Sequence, residues 1–280
     1  MRNLILSAFS DEYASDTAEQ AQALRELGIG YTEVRHLDGK NISVLSENEI
    51  LQAKSIFEQN GIRVSAIGSP IGKVVLEGSL AEHFAMAERV FSYANLLGAK
   101  YVRIFSFYAP EGKQIGEMRD EVFSAMSRLI CLSKQYNVTL CHENEANIYG
   151  DIPEREHELL CHFKGELKCV FDMGNFVLEG VDPYPAAYEL LRDYIAYFHI
   201  KDALFEGAIV PPGLGNAKIS EILSAHQKTV GDDFFVCLEP HLETFSGLNS
   251  LVGRSFKNPY RYSDQKAAFI DAVKKFKEIM

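Results

Sequence analysis

Carboxylates and a histidine stand at the ends of four apolar segments in the second half of the sequence. The segment TLCHENE reaches Glu143 and Glu145, and the segments KCVFD, FHIK and FFVCLE reach Asp172, His199 and Glu239. Each apolar run is typical of a β-strand buried on both faces, so the polar group comes where the strand would leave the core. The four strand ends therefore offer a Glu, an Asp, a His and a second Glu.

One imidazole and three carboxylates suit a divalent cation of intermediate hardness. We expect Mn²⁺ first; Mg²⁺ and Co²⁺ suit the same donors, and Zn²⁺ in a catalytic site is also compatible with them. Each residue alone has an ordinary structural explanation, since an Asp after a strand often caps a helix and a buried His is often a core residue. Four such residues at corresponding strand ends favour one metal site, provided that the strand ends converge.

The order of the predicted elements indicates that these ends do converge. Eight apolar runs alternate with segments of helical pattern, which begin with capping signals and end at glycines. The second helical segment, for example, begins with a capping box of Ser46 and Glu49 and ends before Gly61. The predicted strands are Leu4 to Phe9, Ile29 to Val34, Ile62 to Ile67, Tyr101 to Phe105, Val138 to Cys141, Leu167 to Phe171, Ile195 to Ile200 and Phe234 to Leu238.

Eight short βα units in strict alternation are typical of an α/β fold, the (β/α)8 TIM barrel, whose functional groups lie at the carboxyl ends of the strands. We expect residues 1–280 to form a single domain, because no linker or composition shift divides them. A doubly wound open sheet is the alternative. It is disfavoured because SAFSDEY stands after the first strand, where a glycine-rich dinucleotide turn would be expected.

Composition and charge argue against two classes of partner. The formal net charge of −11 and the sequence pI of about 5.3 argue against the basic surface that nucleic-acid binding requires. No run approaches the roughly 18 uncharged residues of a membrane span, so we expect neither a nucleic acid nor a membrane as a partner. The five cysteines lack paired spacing, which favours reduced thiols in a cytoplasmic protein.

The segments HENEANIYGD, VFDMGN, FHIKDA, PGLGN and LEP resemble the xylose isomerase-like barrels grouped as sugar phosphate isomerases and epimerases. The similarity spans nearly the whole chain, and it implies a TIM barrel that binds one divalent metal through strand-end Glu, Asp, His and Glu. Matched motif by motif, these ligands are Glu143, Asp172, His199 and Glu239. Glu145 competes for the first place, and we prefer Glu143 because the related pattern is a strand-final Glu followed by Asn.

The resemblance also implies a reaction. The metal of such enzymes holds two adjacent oxygens of a ketose or hydroxy-ketone and acidifies the neighbouring carbon, and the ligand glutamates move the proton. Glu143 and Glu239 would then be catalytic, acting from opposite faces of an enediolate formed from a sugar or sugar phosphate. Many relatives have a His three residues after the ligand Asp, whereas this chain has Asn175, which carries no proton. The orientation of the substrate is therefore open.

Further polar residues near the strand ends are candidates for substrate contact. Two structural alternatives stand beside this prediction: a salt bridge between Lys201 and Asp202, and an ion pair between Glu33 and Arg35. The candidates for substrate binding are Asn175, Lys201, Glu145, Arg103 and Glu33.

The connection after the eighth predicted strand, HLETFSGLNSLVGRSFKNPYRYSDQ, is long for a TIM barrel. A long loop at this face is typical of a lid or of a subunit contact, and the latter would make the protein a homo-oligomer. Its Arg254, Lys257 and Arg261 would suit an anionic substrate. Backbone donors at Gly213 and Gly215 are a weaker indication of a phosphate site.

Three other functions remain open. An inosose-type dehydratase would use the same enediolate to expel a hydroxyl group. An endonuclease for apurinic sites resembles the chain in HEN and in the later Asp and His, but it needs several metals, extra histidines and a basic face. A sugar-binding barrel without catalysis is disfavoured because all four proposed ligands are present. One metal ion per chain would support the epimerase, two or three the nuclease, and none the binding protein.

Overall fold

The computed structural model describes residues 4–242 and 260–280. Eight parallel strands form a nearly closed barrel, with backbone hydrogen bonds joining neighbours in the order β1, β8, β7, β6, β5, β4, β3, β2. This order confirms the predicted TIM barrel and excludes the doubly wound sheet. The strands are β1 (Leu4–Ala8), β2 (Tyr31–Val34), β3 (Arg63–Gly68), β4 (Tyr101–Ile104), β5 (Thr139–Glu143), β6 (Leu167–Asp172), β7 (Ile195–Ile200) and β8 (Phe234–Leu238).

Strands β1 and β2 lie side by side, but no backbone pairing joins them among the residues that the structure describes. Side chains close this seam instead. Thr32 Oγ1 donates a hydrogen bond to the Ala8 carbonyl at 3.1 Å and lies 3.0 Å from Ser10 Oγ. Nearer the amino end of β1, Ser7 Oγ lies 2.7 Å from Ser65 Oγ of β3, which donates to the Thr32 carbonyl of β2 at 3.0 Å. The barrel wall is therefore continuous in packing but not in its backbone ladder.

The helices that follow the strands begin with side-chain caps at several of their ends. The predicted capping box of Ser46 and Glu49 is present, and the Asp16 side chain caps the first helix by accepting from the Glu19 amide at 2.8 Å. Among these helices, none is long and apolar enough to cross a membrane. The helices are α1 (Thr17–Glu26), α2 (Glu47–Gln59), α3 (Ala81–Leu97), α4 (Arg119–Gln135), α5 (Pro153–His162), α6 (Met173–Leu178), α7 (Tyr188–Leu191), α8 (Ile219–Thr229) and α9 (Gln265–Ile279).

The strands that carry the first two proposed ligands extend further than predicted. Glu143 and Asp172 are the last residues of β5 and β6, where they pair in register with Val170 and His199. The Asp172 side chain also caps α6, a helix of six residues that was not predicted because it is too short to show a helical period. Asp172 Oδ1 accepts from the Asn175 amide at 2.8 Å. Asp172 therefore does cap a helix, but the cap uses only one of its two carboxylate oxygens.

The last helix begins one residue later than the sequence indicated. The sequence pattern predicts Ser263 as the cap of this helix. That prediction is wrong, because Asp264 is the cap and accepts from the Ala267 amide at 2.8 Å. Serine and aspartate both cap helices well, and because the two are adjacent here, the path of the chain decides which one is the cap.

Candidate metal centre and active site

Four side chains from four neighbouring strands meet at the carboxyl end of the barrel. Glu143, Asp172 and His199 lie in β5, β6 and β7, and Glu239 directly follows β8. Each offers one ligand atom, and these atoms all lie within 4.8 Å of one another. The four residues are at most 2% exposed. The structure thus brings together the four residues that the sequence singled out, because the ends of parallel barrel strands share one rim.

The distances between the donor atoms fit a single divalent metal. His199 Nδ1 lies 3.1 Å from Glu143 Oε1, 3.2 Å from Glu239 Oε2 and 4.0 Å from Asp172 Oδ2. Around an octahedral ion with bonds of about 2.1 Å, adjacent donors are about 3.0 Å apart and opposite donors about 4.2 Å apart. Three oxygens and one nitrogen, without a thiolate, suit Mn²⁺ or Mg²⁺. The residues therefore fit the metal that the resemblance implies.

His199 is oriented by a second carboxylate behind it. Its Nε2 lies 3.1 Å from Glu33 Oε2, and Glu33 Oε1 accepts from the Tyr197 hydroxyl at 3.0 Å. This contact leaves Nδ1 facing the other ligand atoms. Burial alone would lower the pKa of His199, but the carboxylates of Glu143, Glu33 and Glu239 raise it well above its usual value. The surroundings of the ring thus stabilise positive charge at this point.

The two carboxylate oxygens of Glu143 have different partners, one in the cluster and one an arginine. Its Oε1 faces His199, and its Oε2 accepts from Arg103 Nη1 in a buried ion pair. Asn175 Nδ2 also donates to Oε1 at 3.3 Å. Burial alone would raise the pKa of Glu143, but His199 and Arg103 hold it below its usual value. Glu143 is therefore fixed as a carboxylate.

The two carboxylate oxygens of Glu239 also have different partners. Arg35 Nη1 donates to Oε1 at 2.7 Å, while Oε2 faces His199 and lies 3.2 Å from Lys201 Nζ. Burial alone would raise the pKa of Glu239, but nearby cations, Lys201 first among them, hold it well below its usual value. Arg35 is anchored by Asp11 at 2.9 Å. Both proposed proton carriers thus have one oxygen on an arginine.

Lys201 lies among the carboxylates that are the proposed ligands. Its Nζ is 3.0 Å from Asp172 Oδ2, 3.2 Å from Glu239 Oε2 and 3.0 Å from Asn175 Oδ1. Burial nevertheless raises the pKa of Asp172 to about 7, and Lys201 only partly opposes this rise. The alternative prediction, a salt bridge to Asp202, is wrong. Asp202 instead accepts from four backbone amides of the following loop, those of Ala203, Gly213, Gly215 and Ala217.

A model of the xylose isomerase-like TIM barrel family matches residues 21–271. The chain belongs to this family. A comparison with curated proteins found no match. Family membership agrees with the barrel and with the resemblance of the HEN, FDMGN, FHIKD and LEP segments.

Three solved structures share the fold over nearly their full length. D-allulose 3-epimerase from Methylomonas sp. in complex with D-allulose has a TM-score of 0.74 at 14% identity, covering 100% of this chain and 98% of that chain. The probable 3-DHS dehydratase AsbF from Bacillus anthracis has a TM-score of 0.72 at 16% identity, covering 98% of each chain. A xylose isomerase-like protein from Mycobacterium smegmatis in complex with magnesium has a TM-score of 0.68 at 16% identity, covering 100% and 95%. At these identities the similarity shows the fold.

The other predicted site residues of this xylose isomerase-like barrel lie around the cluster. Glu145 is outside it, with Oε2 3.1 Å from Lys73 Nζ. Glu33 contacts His199, and Arg35 contacts Asp11 and Glu239, so the alternative of a Glu33–Arg35 ion pair is wrong.

The predicted contacts with an anionic substrate involve residues of the long loop after β8 and two glycine amides. Arg254 and Lys257 lie outside the described residues, and Arg261 is exposed. The amides of Gly213 and Gly215 already donate to Asp202 Oδ2, at 2.8 and 2.9 Å. These two amides are therefore committed to a carboxylate of the chain itself, and the weak indication of a phosphate site there is not supported.

Three residues near the cluster were missed. Glu12 Oε1 lies 3.4 Å from His241 Nε2, which in turn lies 3.3 Å from Glu239 Oε1, and Asp11 anchors Arg35. Burial raises the pKa of Glu12 to about 8 and lowers that of His241 to about 4. The acidic pair in SAFSDEY at the end of β1 was the available signal, since it occupies the same rim as the four ligands.

We expect Glu33→Gln to weaken Mn²⁺ binding by roughly 10- to 100-fold, because carboxylates behind a metal-binding histidine orient the ring and raise its basicity. A glutamine oxygen accepts from only one of the two donors, His199 and Tyr197, and its NH₂ group then faces the other. Isothermal titration calorimetry measures the affinity. The matched control is Glu145→Gln, where binding should stay within about twofold of the wild type. Equal losses in both variants would contradict the orienting role.

Proposed function

We propose that the chain is a metal-dependent isomerase or epimerase of a small sugar or sugar phosphate, which moves a proton beside a carbonyl group through an enediol. The observation that carries the proposal is the buried cluster of Glu143, Asp172, His199 and Glu239, with donor spacings that suit one divalent ion. Family membership and the fold shared with an epimerase whose structure holds D-allulose support it. A cytoplasmic location, a single domain and a homo-oligomer stay predictions.

The four residues of the cluster would hold the ion, for which we propose Mn²⁺. The relative from Mycobacterium smegmatis is in complex with magnesium, which the same donors suit. When bound, a divalent ion would polarise the substrate carbonyl and make the neighbouring C–H more acidic. The part of the protein is then to accept that proton, to return it, and to fix the substrate oxygens.

Glu143 and Glu239 are the proposed proton carriers. A general base works best with a pKa near the working pH, whereas Arg103 and Arg35 each stabilise the ionised form of one glutamate. Substrate oxygens that accept hydrogen bonds from these guanidinium groups would weaken that stabilisation and make the glutamates more basic. Arg103 has a donor for this purpose, because its Nε is buried and has no hydrogen-bond partner among the residues that the structure describes.

Asn175 positions its neighbours and does not itself carry the proton. Its Nδ2 donates to the Asn144 carbonyl at 2.9 Å, and its Oδ1 accepts from Lys201 Nζ at 3.0 Å. The asparagine found in place of the histidine of many relatives therefore orients Lys201. The ammonium group is the nearby donor that would bind a substrate oxygen.

Solvent exchange tests the proposal directly. Protein loaded with Mn²⁺ is incubated in D₂O with a panel of ketoses, ketose phosphates and inosose, and carbon-bound deuterium is followed by NMR. We expect one substrate to exchange a proton with the wild type and not with Glu239→Gln, while Glu145→Gln retains exchange. The position of the deuterium identifies the carbon. Absence of exchange with every substrate, although one Mn²⁺ per chain is bound, would argue against proton transfer on this panel.

Elimination of water is the second candidate, and it is favoured by the fold shared with AsbF and by the ammonium of Lys201 beside the cluster. The same enediol would lose a hydroxyl group to which Lys201 donates a proton, instead of regaining the proton at carbon. Mass spectrometry of the exchange reactions separates the two outcomes, because an epimer keeps the mass of its substrate apart from deuterium and a dehydration product does not.

A further inference from the structure

Lys201 places a positive charge on the oxygens that face the metal site. Asp172 Oδ2 and Glu239 Oε2 are the atoms nearest to His199 Nδ1 in those two carboxylates, and Lys201 Nζ lies 3.0 and 3.2 Å from them. The lysine is 2% exposed. Gly174 makes room for it, since a Cβ there would lie 2.7 Å from Lys201 Cβ. The ammonium and a divalent ion thus require the same two oxygens.

We propose that Lys201 is an internal cation that competes with the divalent metal for Asp172 and Glu239, and that it sets the affinity of the site. This inference rests on the metal centre of the proposed function. Buried carboxylates need a nearby positive charge, and the ammonium supplies it to both. A divalent ion that takes the same oxygens repels the ammonium at short range, so part of its binding free energy is spent on moving the lysine.

Asn175 gives the displaced lysine a remaining anchor. Lys201 Nζ makes three hydrogen bonds within the described part of the chain; two go to proposed metal ligands, and the third goes to Asn175 Oδ1 at 3.0 Å. When the metal takes the two carboxylate oxygens, the bond to Asn175 keeps the ammonium beside the cluster. Its freed N–H groups then become available to substrate oxygens. Binding of the metal would in this way prepare a donor for the substrate.

The test is the Mn²⁺ affinity of Lys201→Met, measured by isothermal titration calorimetry after chelator treatment and dialysis. Methionine keeps much of the length of the side chain but removes the charge, so we expect binding at least about tenfold tighter than in the wild type. The metal-free variant should also melt at a lower temperature than the metal-free wild type, and Mn²⁺ should raise its melting temperature by more. Lys201→Gln repeats the test should the methionine variant fail to fold.

The matched control is Lys73→Met. Lys73 is a part-buried lysine that pairs with Glu145 at 3.1 Å, outside the cluster. Its removal should leave the Mn²⁺ affinity within about twofold of the wild type. Unchanged or weaker binding in both Lys201 variants overturns the inference, and so does equal tightening in Lys73→Met, which would show an effect of overall charge. A wild type that binds Mn²⁺ while the Lys201 variants fail to tighten leaves the proposed function standing. A wild type that binds none of Mn²⁺, Mg²⁺, Co²⁺ and Zn²⁺ refutes both.

Discussion

Replacing Asp172 with asparagine is expected to lower kcat/KM by roughly 100-fold or more and to leave the fold intact. This loss exceeds the roughly 10- to 100-fold loss that is typical when a residue behind a metal ligand is replaced. The two carboxylate oxygens have different tasks. Oδ1 caps α6 through the Asn175 amide at 2.8 Å, and Oδ2 faces His199 Nδ1 and Lys201 Nζ. An asparagine oxygen keeps the cap, but the amide nitrogen in place of Oδ2 does not bind a metal.

The measurement combines kinetics with metal titration on the substrate that exchanges its proton. The circular dichroism spectrum of Asp172→Asn should stay close to that of the wild type, and the melting temperature should fall only modestly, because Lys201 loses one carboxylate partner but keeps Glu239 Oε2 and Asn175 Oδ1. Asp16→Asn is the matched control, because Asp16 is exposed and caps α1 by the same contact, at 2.8 Å to the Glu19 amide. Activity above about a tenth of the wild type in Asp172→Asn would show that Asp172 is not a ligand.

Replacing Arg35 with methionine is expected to destabilise the protein by about 3–5 kcal/mol, the cost of breaking a buried charge network by removing one partner. Arg35 is 1% exposed and donates to Asp11, Glu12 and Glu239 at 2.9, 3.2 and 2.7 Å. Without the guanidinium group, these carboxylates lose their shared positive partner in a site with little access to water.

Urea unfolding measures this loss as a change in the free energy of unfolding. Arg63→Met is the matched control, since Arg63 is an exposed arginine whose guanidinium lies 4.3 Å from the centre of the Tyr31 ring. Its loss should cost no more than about 1 kcal/mol. If Arg35→Met costs equally little, the network around Arg35 contributes no more than a surface contact.

The fold and the meeting of the four proposed ligands could be predicted from the sequence because both depend on local patterns. Apolar runs, capping signals and glycines define the βα units, and eight of them imply a barrel whose strand ends share one rim. Glu143, Asp172, His199 and Glu239 each end such a run, so their meeting follows from the topology without knowledge of any distance. The choice of Glu143 over Glu145 has a different basis, the resemblance, because the related pattern of a strand-final Glu followed by Asn matches Glu143 and Asn144.

The ion pairs around the cluster could not be predicted in this way, because they join residues that are distant in sequence. Arg35 and Glu239 are 204 positions apart, and Arg103 and Glu143 are 40 apart. Which cation reaches which carboxylate depends on the radius of the barrel and on the height of each residue in its wall. Lys201 illustrates this: sequence proximity favoured Asp202, but the lysine side chain enters the barrel whereas Asp202 turns to the backbone of its own loop.

The seam between β1 and β2 implies that the barrel wall opens locally more easily there than along the other strand pairs. Bonds of the backbone ladder must break together along a strand, whereas the Thr32 and Ser7 contacts can break one at a time, so we expect amide hydrogens along this edge to exchange early. Phe9 and Arg35 directly follow the two seam strands, and they contact His199 and Glu239. The part of the wall that we expect to open first is therefore the part that holds one side of the proposed ligand cluster.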